Sequence, residues 1–590
     1  METARDNKKG IQKRNYLIVL IVMIMLSILF ARSFYWPSWK GYSKRIITEV
    51  LMIAVGITAV PWTAVKVGVL NHWVSVCVFR FTSVWGMIWR NKVRVICIIA
   101  LYILLALLGY NLAKIPYVIG KSDRFNPRFG ILLVAILYLI LTFMLLCRVG
   151  RKRIDLLFLA TALIIGSAYI RITPGEIATS WDDQIHYVRT LGLSNGLNGI
   201  MYSSDKLLIK GVRKNPIRFS RESQQEYNKQ LTELYQQKKY SYYQYRKYIS
   251  LWSVAYIPAA IGIVFGRGLG LPYIEILKLG RFFNLLFYAL IISAAIRRIK
   301  YGKTLIACCG LIPSAVFLAC SYSYDFWVIC LGIYGYALFY SILQDAKHTA
   351  SKHDLIAMLA ACLLGFIPKM VYFPLLLPLW FIPKNRFESR RKQWYFRLAL
   401  IAVVVLLLLS FFCGFWEPDY RGGSGVDPAG QVRYILSAPI QYVKLLYHFL
   451  IPGYLSPITV NQSFLDFAYL GAGASSAVLI LILYVLAFLD RGDSSQEDMV
   501  KIRVAGLLGV VLAVMIIPTA LYVSYTPVAA ASPQGVQERY LFPVLLPFFL
   551  LIGADKVSYR GSRWLLTVIS LAVFAGVFLK NVSQLIVSLY

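Results

Sequence analysis

The run Ile154-Asp155-Leu156-Leu157-Phe158-Leu159-Ala160-Thr161-Ala162-Leu163-Ile164-Ile165-Gly166-Ser167-Ala168-Tyr169-Ile170 is followed, after a short break, by Ser180-Trp181-Asp182-Asp183-Gln184-Ile185-His186-Tyr187-Val188-Arg189. The first stretch is long and apolar enough to cross a hydrocarbon core about 30 Å thick. Lipid offers no partner to its amides, so it must cross as a helix. The second stretch sets adjacent carboxylates, a histidine and an arginine where that helix leaves the membrane.

Outward from that helix, similar runs recur along all 590 residues, which are 58% hydrophobic and 15% charged. Soluble domains carry about a quarter of charged residues, so the chain reads as an all-α polytopic membrane protein. Hydropathy predicts roughly fifteen spans. Five come first: Tyr16 to Phe34, Ile46 to Leu70, Val95 to Leu112, Gly130 to Cys147 and Ile154 to Ile170. The others start near Leu279, Leu305, Phe326, Leu355, Val371, Leu398, Ala477, Val504, Leu541 and Trp564. Leu355 to Ile367 and Val371 to Ile382 are short and separated only by Pro368-Lys369-Met370, so a re-entrant pair is the alternative there.

This count puts the basic N-terminal tail, Arg90 to Arg94, Arg148 to Arg153, Arg297 to Lys303, Lys384 to Arg397, Asp490 to Arg503 and Asp555 to Arg563 on one side. The positive-inside trend makes that side cytoplasmic, with the N-terminus. The chain then divides into a five-helix membrane region (1–172), an external loop with juxtamembrane helices (173–270) and a second membrane region (271–590) carrying an external loop at 417–470. Tyr256 to Gly270, apolar but broken by Pro258 and several glycines, reads as an interfacial helix on the outer surface.

Met1 to Arg14 is basic, yet the run behind it is long for a signal core and no small-residue cleavage pattern follows, so it is expected to remain as a span. The nine cysteines, Cys77, Cys97, Cys147, Cys308, Cys309, Cys320, Cys330, Cys362 and Cys413, lie in or beside apolar runs without disulfide or zinc spacing. They read as small packed hydrophobes. The net charge of +35 gathers at span ends and in loops, which suits anionic lipid, and no nucleic-acid partner is expected.

Asp182 and Asp183 admit a structural reading, as acids complementing the dipole of a helix with Ile185, Val188 and Leu191 on one face. The same loop holds many Lys and Arg between Asp205 and Lys247, with Tyr240, Tyr242, Tyr243, Tyr245 and Tyr248. Basic groups suit a phosphate and tyrosines suit sugar faces or headgroups; a loop lying on anionic lipid is the plainer reading. Lys369 and Arg539 fall at the same membrane boundary, against the alternatives of a snorkelling lysine and an ion pair with Glu538. Asp325 closes the external end of a span among Tyr322 and Tyr324, a suggestive position for an acid. Glu417 and Asp419 read as turn residues. No grouping has metal spacing, so neither metal nor cofactor is predicted; a divalent ion shared by Asp182, Asp183 and a phosphate is the alternative.

From about Trp181 onward the chain resembles the bacterial membrane proteins grouped as the domain of unknown function 2142. Their first large external loop carries Pro-Asp-Glu-x-x-His-Phe, and here it reads Trp181-Asp182-Asp183-Gln184-Ile185-His186-Tyr187, kept in type but not in letter. Three further stretches carry the resemblance: Tyr256 to Gly262 leading to Leu279-Gly280-Arg281-Phe282-Phe283-Asn284, then Ser321 to Asp325, then Gly535 to Pro543. In that family the acidic loop follows the first span, so four leading helices lie outside the analogy.

That family looks like part of the GT-C glycosyltransferase superfamily. The resemblance implies a GT-C-like bundle in a bacterial cytoplasmic membrane, a polyprenyl-phosphate-linked sugar donor and a cell-envelope glycan or polymer as acceptor on the extracytoplasmic face. It implies inverting transfer with Asp182 as base on the acceptor hydroxyl, its basicity raised near an apolar boundary, and Asp183 as second candidate or partner. His186, Arg189, Lys369 and Arg539 would then serve the phosphate, and Asp325 and Glu538 would support the acceptor. A transporter or flippase for a lipid-linked glycan would call for repeated halves and ionisable mid-span residues, and the sequence offers neither. A non-catalytic envelope-assembly scaffold would tolerate loss of Asp182.

Overall fold

The computed structural model describes residues 92–587 except 120–124, 149–152, 174–179, 197–198, 213–220, 246–249, 346–347, 416–419, 474–476, 491–498 and 554–560. The first two predicted spans, Tyr248, Glu417 and Asp419 lie outside the described residues. Helices α1 (Lys92–Leu112), α2 (Pro127–Arg148) and α3 (Ile154–Ile172) lead into a polar lobe. The lobe holds α4 (Asp183–Ser194), β1 (Ile200–Tyr202), α5 (Ser203–Val212), α6 (Arg221–Gln236), β2 (Tyr240–Tyr242) and α7 (Ile257–Gly268). The bundle resumes with α8 (Tyr273–Arg298), α9 (Lys303–Gly310), α10 (Pro313–Ala319), α11 (Asp325–Gln344) and α12 (Lys352–Phe366), followed by a 3-10 segment, Ile367–Phe381. It ends with α13 (Arg390–Phe415), α14 (Pro428–Ser437), α15 (Pro439–Phe449), α16 (Pro457–Ser463), α17 (Ala477–Leu489), α18 (Met499–Ser524), α19 (Phe542–Ile552) and α20 (Arg563–Leu585).

Among the described residues nine helical stretches are long and apolar enough to cross a membrane, one of them the composite stretch 352–381. The chain departs from a row of uniform spans near Leu305, Ala477 and Leu541, where the helices are short. The run from Leu305 breaks into α9 and α10, of 8 and 7 residues. Pro313 has no N–H to offer the preceding turn. The Gly310 carbonyl accepts instead from the Tyr288 hydroxyl at 2.9 Å, and the Ser314 amide donates to Phe464 O at 3.0 Å. At the other end of α9, the amides of Thr304 and Leu305 donate to Asp490 Oδ2 at 2.6 and 3.1 Å. A broken helix at membrane depth is tolerated where protein surrounds it, and nearly every residue of both halves is buried.

Length alone would make 352–381 a single span; its hydrogen bonds make it a hairpin. Ala350 N donates to Arg386 O at 2.8 Å and Arg386 Nη1 donates to Asp345 O at 2.6 Å, so the chain leaves and returns at one end of the bundle. The turn is at Lys369, the non-helical residue of the segment (φ −143°, ψ 78°). The return arm contains Pro374 and Pro378. In a 3-10 arrangement the Leu375 carbonyl would accept from residue 378; Pro378 has no N–H, and the Tyr336 hydroxyl on α11 donates to that carbonyl at 2.5 Å.

The lobe has its own core, including Tyr187, Leu191, Met201, Leu208, Leu231, Tyr245 and Ile263. Within it Asp205 Oδ1 accepts from the hydroxyls of Tyr187 and Tyr273 at 2.8 and 2.7 Å, and the buried Arg267 lies 4.0 Å from Oδ2. Burial raises the pKa of the Asp205 carboxyl, against the pull of Arg267. The α7 stretch expected to lie on the surface packs one face firmly on α8. A Cβ on Gly262 would stand 2.7 Å from Leu279 O and 2.9 Å from Gly280 Cα, so glycine is what admits the approach. Its other face leaves Ile257 and Ile261 exposed.

Candidate functional site

Between the lobe, the hairpin tip and the C-terminal helices lies a cavity of about 450 Å³ lined by Trp181, Asp182, His186, Tyr324, Asp325, Lys369, Arg421, Tyr469, Gln537, Arg539 and Tyr540, among others. Its chemistry is built around Asp325. This residue opens α11, with Ser323 Oγ donating to Oδ2 at 3.1 Å. Its Oδ1 accepts from Lys369 Nζ at 2.5 Å and its Oδ2 from Arg539 Nε at 2.7 Å. All three side chains are at least 87% buried. Two buried cations thus share one carboxylate, and donors remain unused: Arg539 Nη1 is buried without a partner.

Aromatic faces hold the cations in place. Lys369 Nζ stands 3.6 Å from the Tyr540 ring centroid and Arg539 Cζ 4.0 Å from that of Trp181. An ammonium or guanidinium over such a ring is attracted by its quadrupole, more strongly where water is excluded. Lys369 and Arg539 therefore neither snorkel nor pair with Glu538; both converge on Asp325, and Glu538 is outside the cavity lining.

The adjacent acids face opposite ways. Asp182 sits in the left-handed region (φ 56°, ψ 19°), a conformation that an L-residue holds only where its surroundings enforce it. The kink sends the Asp182 carboxylate into the cavity, where Arg421 Nη1 donates to Oδ1 at 3.0 Å and the side chain is 38% exposed. Asp183 turns into the protein and is fully buried. It accepts from the amides of Tyr322 at 3.1 Å and Ser180 at 3.3 Å, tying the start of α4 to the loop that presents Asp325.

His186 lines the cavity one turn further along α4, with Nδ1 at 2.8 Å from the Tyr256 hydroxyl. Burial, then the charge of Arg189, lowers its pKa to about 3, so its ring is neutral. Arg189 lies behind it, donating to the Tyr256 hydroxyl at 3.4 Å, outside the lining. Of the tyrosines expected to meet sugar or headgroups, Tyr245 is a core residue donating to Ile200 O at 3.1 Å, and Tyr240 and Tyr242 lie exposed on β2; none of these three lines the cavity. No group of three or more His, Cys, Asp or Glu that could hold a metal is present among the described residues.

Sequence reasoning missed Arg421, Trp181, Tyr469 and Tyr540. The signal for Arg421 was the glycine cluster behind it: a Cβ on Gly422 would fall 1.7 Å from Tyr525 O. Only glycine lets this loop lie against the end of α18 and bring its arginine to Asp182.

The charged lining, Asp182 and Asp325 against Lys369, Arg421 and Arg539, leaves one positive charge in excess. Fold and site together define a polytopic α-helical membrane protein with an aromatic, cation-rich cavity at one end of its bundle. The chain belongs to the family described as predicted membrane protein (DUF2142), which residues 163–547 match. The match begins inside α3, so α1 and α2 precede it. No curated protein and no solved structure matches the chain.

Proposed function

We propose that the protein is a bacterial membrane glycosyltransferase of GT-C type, transferring a sugar from a polyprenyl-phosphate donor to a cell-envelope glycan or polymer with inversion. The observation that carries this reading is the juxtaposition of the cationic cavity with an apolar groove of about 610 Å³ lined by residues of α15, α17, α18 and α19. The groove ends at Leu541, next to Tyr540 of the cavity, and along α18 it passes from Val514 and Met515 to the cavity residues Ile517 and Leu521 within a turn or two. A phosphate with a long hydrocarbon tail matches that pair of environments.

In this reading Lys369 and Arg539 receive the phosphate, the aromatic walls take the sugar faces, and Asp182 accepts the proton of an acceptor hydroxyl. The hydroxyl oxygen bonds to the anomeric carbon as the bond from that carbon to the phosphate oxygen breaks. The electron pair leaves with the lipid phosphate, whose charge the two cations stabilise. Arg421 must release or share Asp182 as the acceptor enters. The opposite end of the bundle carries Arg298, Lys300, Lys303, Lys384 and Arg386, and the positive-inside trend supports an extracytoplasmic cavity.

The test is sugar transfer from a panel of polyprenyl-phosphate sugars by the full chain in lipid, comparing the parent with Asp182→Asn and Lys369→Met. Activity in the parent, lost in Asp182→Asn at unchanged donor binding, supports the assignment. Equal transfer by parent and Asp182→Asn removes Asp182 as base, and no transfer from any donor moves the reading to transport or scaffolding.

A further inference from the structure

The Tyr256 hydroxyl is almost fully buried, and its polar neighbours are His186 Nδ1 at 2.8 Å and Arg189 Nη1 at 3.4 Å. Arginine has donors and no acceptor. The contact with Arg189 therefore uses a lone pair of the Tyr256 oxygen and leaves the hydroxyl proton to be placed. His186 Nδ1 is the one acceptor within reach among the described residues, and a buried hydroxyl proton with no acceptor is costly. Nδ1 must then be the bare nitrogen, and the ring proton is on Nε2.

His186 lines the cavity, and its hydrogen bond to Tyr256 runs through Nδ1, which leaves Nε2 for the cavity. We infer that Arg189 and Tyr256 are positioning residues that hold His186 as its Nε2–H tautomer, a neutral N–H donor offered to a phosphate oxygen in the cavity. The ligand class rests on the function proposed above; the tautomer does not. Two surroundings agree with it. Burial, then Arg189, disfavours a second proton, and Arg539 and Lys369 act the same way; the Asp325 carboxylate opposes them without reversing the balance. The edge-on packing of Tyr324, with ring centroids 5.1 Å apart, limits rotation of the imidazole away from this pose.

A neutral donor is a sensible third member beside two cations. An N–H adds a directed donor without adding net charge. Arg189, assigned to the phosphate by sequence, instead acts two bonds removed, through Tyr256.

The experiment is nitrogen NMR of the full chain labelled with [15N]histidine in phospholipid nanodiscs, with the His186 signals assigned by their loss in His186→Gln. The expected spectrum has Nε2 protonated and Nδ1 bare at pH 7 and still at pH 5, with Nδ1 moving toward a non-hydrogen-bonded position in Tyr256→Phe. A proton on Nδ1, a doubly protonated ring at pH 7, or an Nδ1 signal unmoved in Tyr256→Phe overturns the inference. Binding of farnesyl phosphate should shift the Nε2 signal. It should weaken about five- to tenfold in His186→Phe and stay near the parent in His186→Gln, which keeps an N–H donor. Equal binding by His186→Phe and parent overturns the donor role. Inorganic phosphate producing the same shift at the same concentration identifies free phosphate, not a lipid phosphate, as the ligand. No binding of farnesyl phosphate by the parent overturns the lipid-phosphate reading and the ligand class named here, while the spectrum alone decides the tautomer.

Discussion

Replacing Asp325 by asparagine tests the centre of the cavity with almost no change of shape. The carboxylate takes Lys369 and Arg539 at 2.5 and 2.7 Å, and the side chains are 8, 13 and 5% exposed. Asparagine leaves both cations buried without a counter-charge, and breaking a buried ion pair in this way costs about 3–5 kcal/mol. Two cations are stranded rather than one, so the upper part of that range is expected. The readout is thermal loss of the monodisperse species in detergent, where Asp325→Asn should melt several degrees below the parent. Adding Lys369→Met should restore part of the loss, a coupling of roughly 2 kcal/mol between directly contacting residues. Because the variant lacks its internal anion, inorganic phosphate should rescue it more than the parent; a ligand at a hundred times its Kd contributes about 2.7 kcal/mol. An Asp325→Asn protein as stable as the parent, or one indifferent to both the second substitution and phosphate, refutes the reasoning.

Asp183→Leu removes the acceptor of two buried amides and should destabilise by about 2–3 kcal/mol, whereas Asp182→Asn should leave the melting temperature within error while abolishing transfer. Gly422→Ala must displace the loop at Tyr525 and with it Arg421, so sugar transfer should fall with little change in helix content by circular dichroism; unchanged transfer would show that the placement of Arg421 beside Asp182 does not matter to the reaction. Gly262→Val forces α7 off α8, and hydrogen exchange should quicken in the lobe before the bundle. Burial raises the Asp466 pKa to about 6, above its unfolded value of about 3.9. The folded state then holds the extra proton, so this group's contribution to stability is present below about pH 4 and is lost as pH rises through about 6. Stability of the parent relative to Asp466→Asn should therefore fall across that window, and a flat difference would contradict it.

The membrane class, most span positions and the shared end of Asp182, His186, Asp325, Lys369 and Arg539 were legible because hydropathy and charge sit on a scale of whole helices. What lay beyond that scale was decided by single backbone events. The left-handed turn at Asp182 separates two neighbouring acids that a linear motif presents as one cluster. The break at Pro313 turns a run of span length into two half-helices because the Tyr288 hydroxyl and the Phe464 carbonyl can satisfy the freed groups. The hairpin at Lys369 was visible as a possibility in Pro368-Lys369-Met370; the ends that close it, Ala350 and Arg386, meet only in three dimensions. Partners failed where neighbours in sequence were favoured: Arg539 passes over adjacent Glu538 for an aspartate 214 positions away.

That separation has a bearing on how the molecule is made. Asp325 and Lys369 emerge early, and the hairpin that joins them closes well before position 539 is synthesised. Until then the carboxylate has one cation. The cavity becomes electrically complete only when the last part of the chain is threaded against α11, so a chain released before Gly535 can have a folded lobe and hairpin and still lack the charge that makes the pocket positive. The site is complete only once the segment that carries Arg539 has packed against α11.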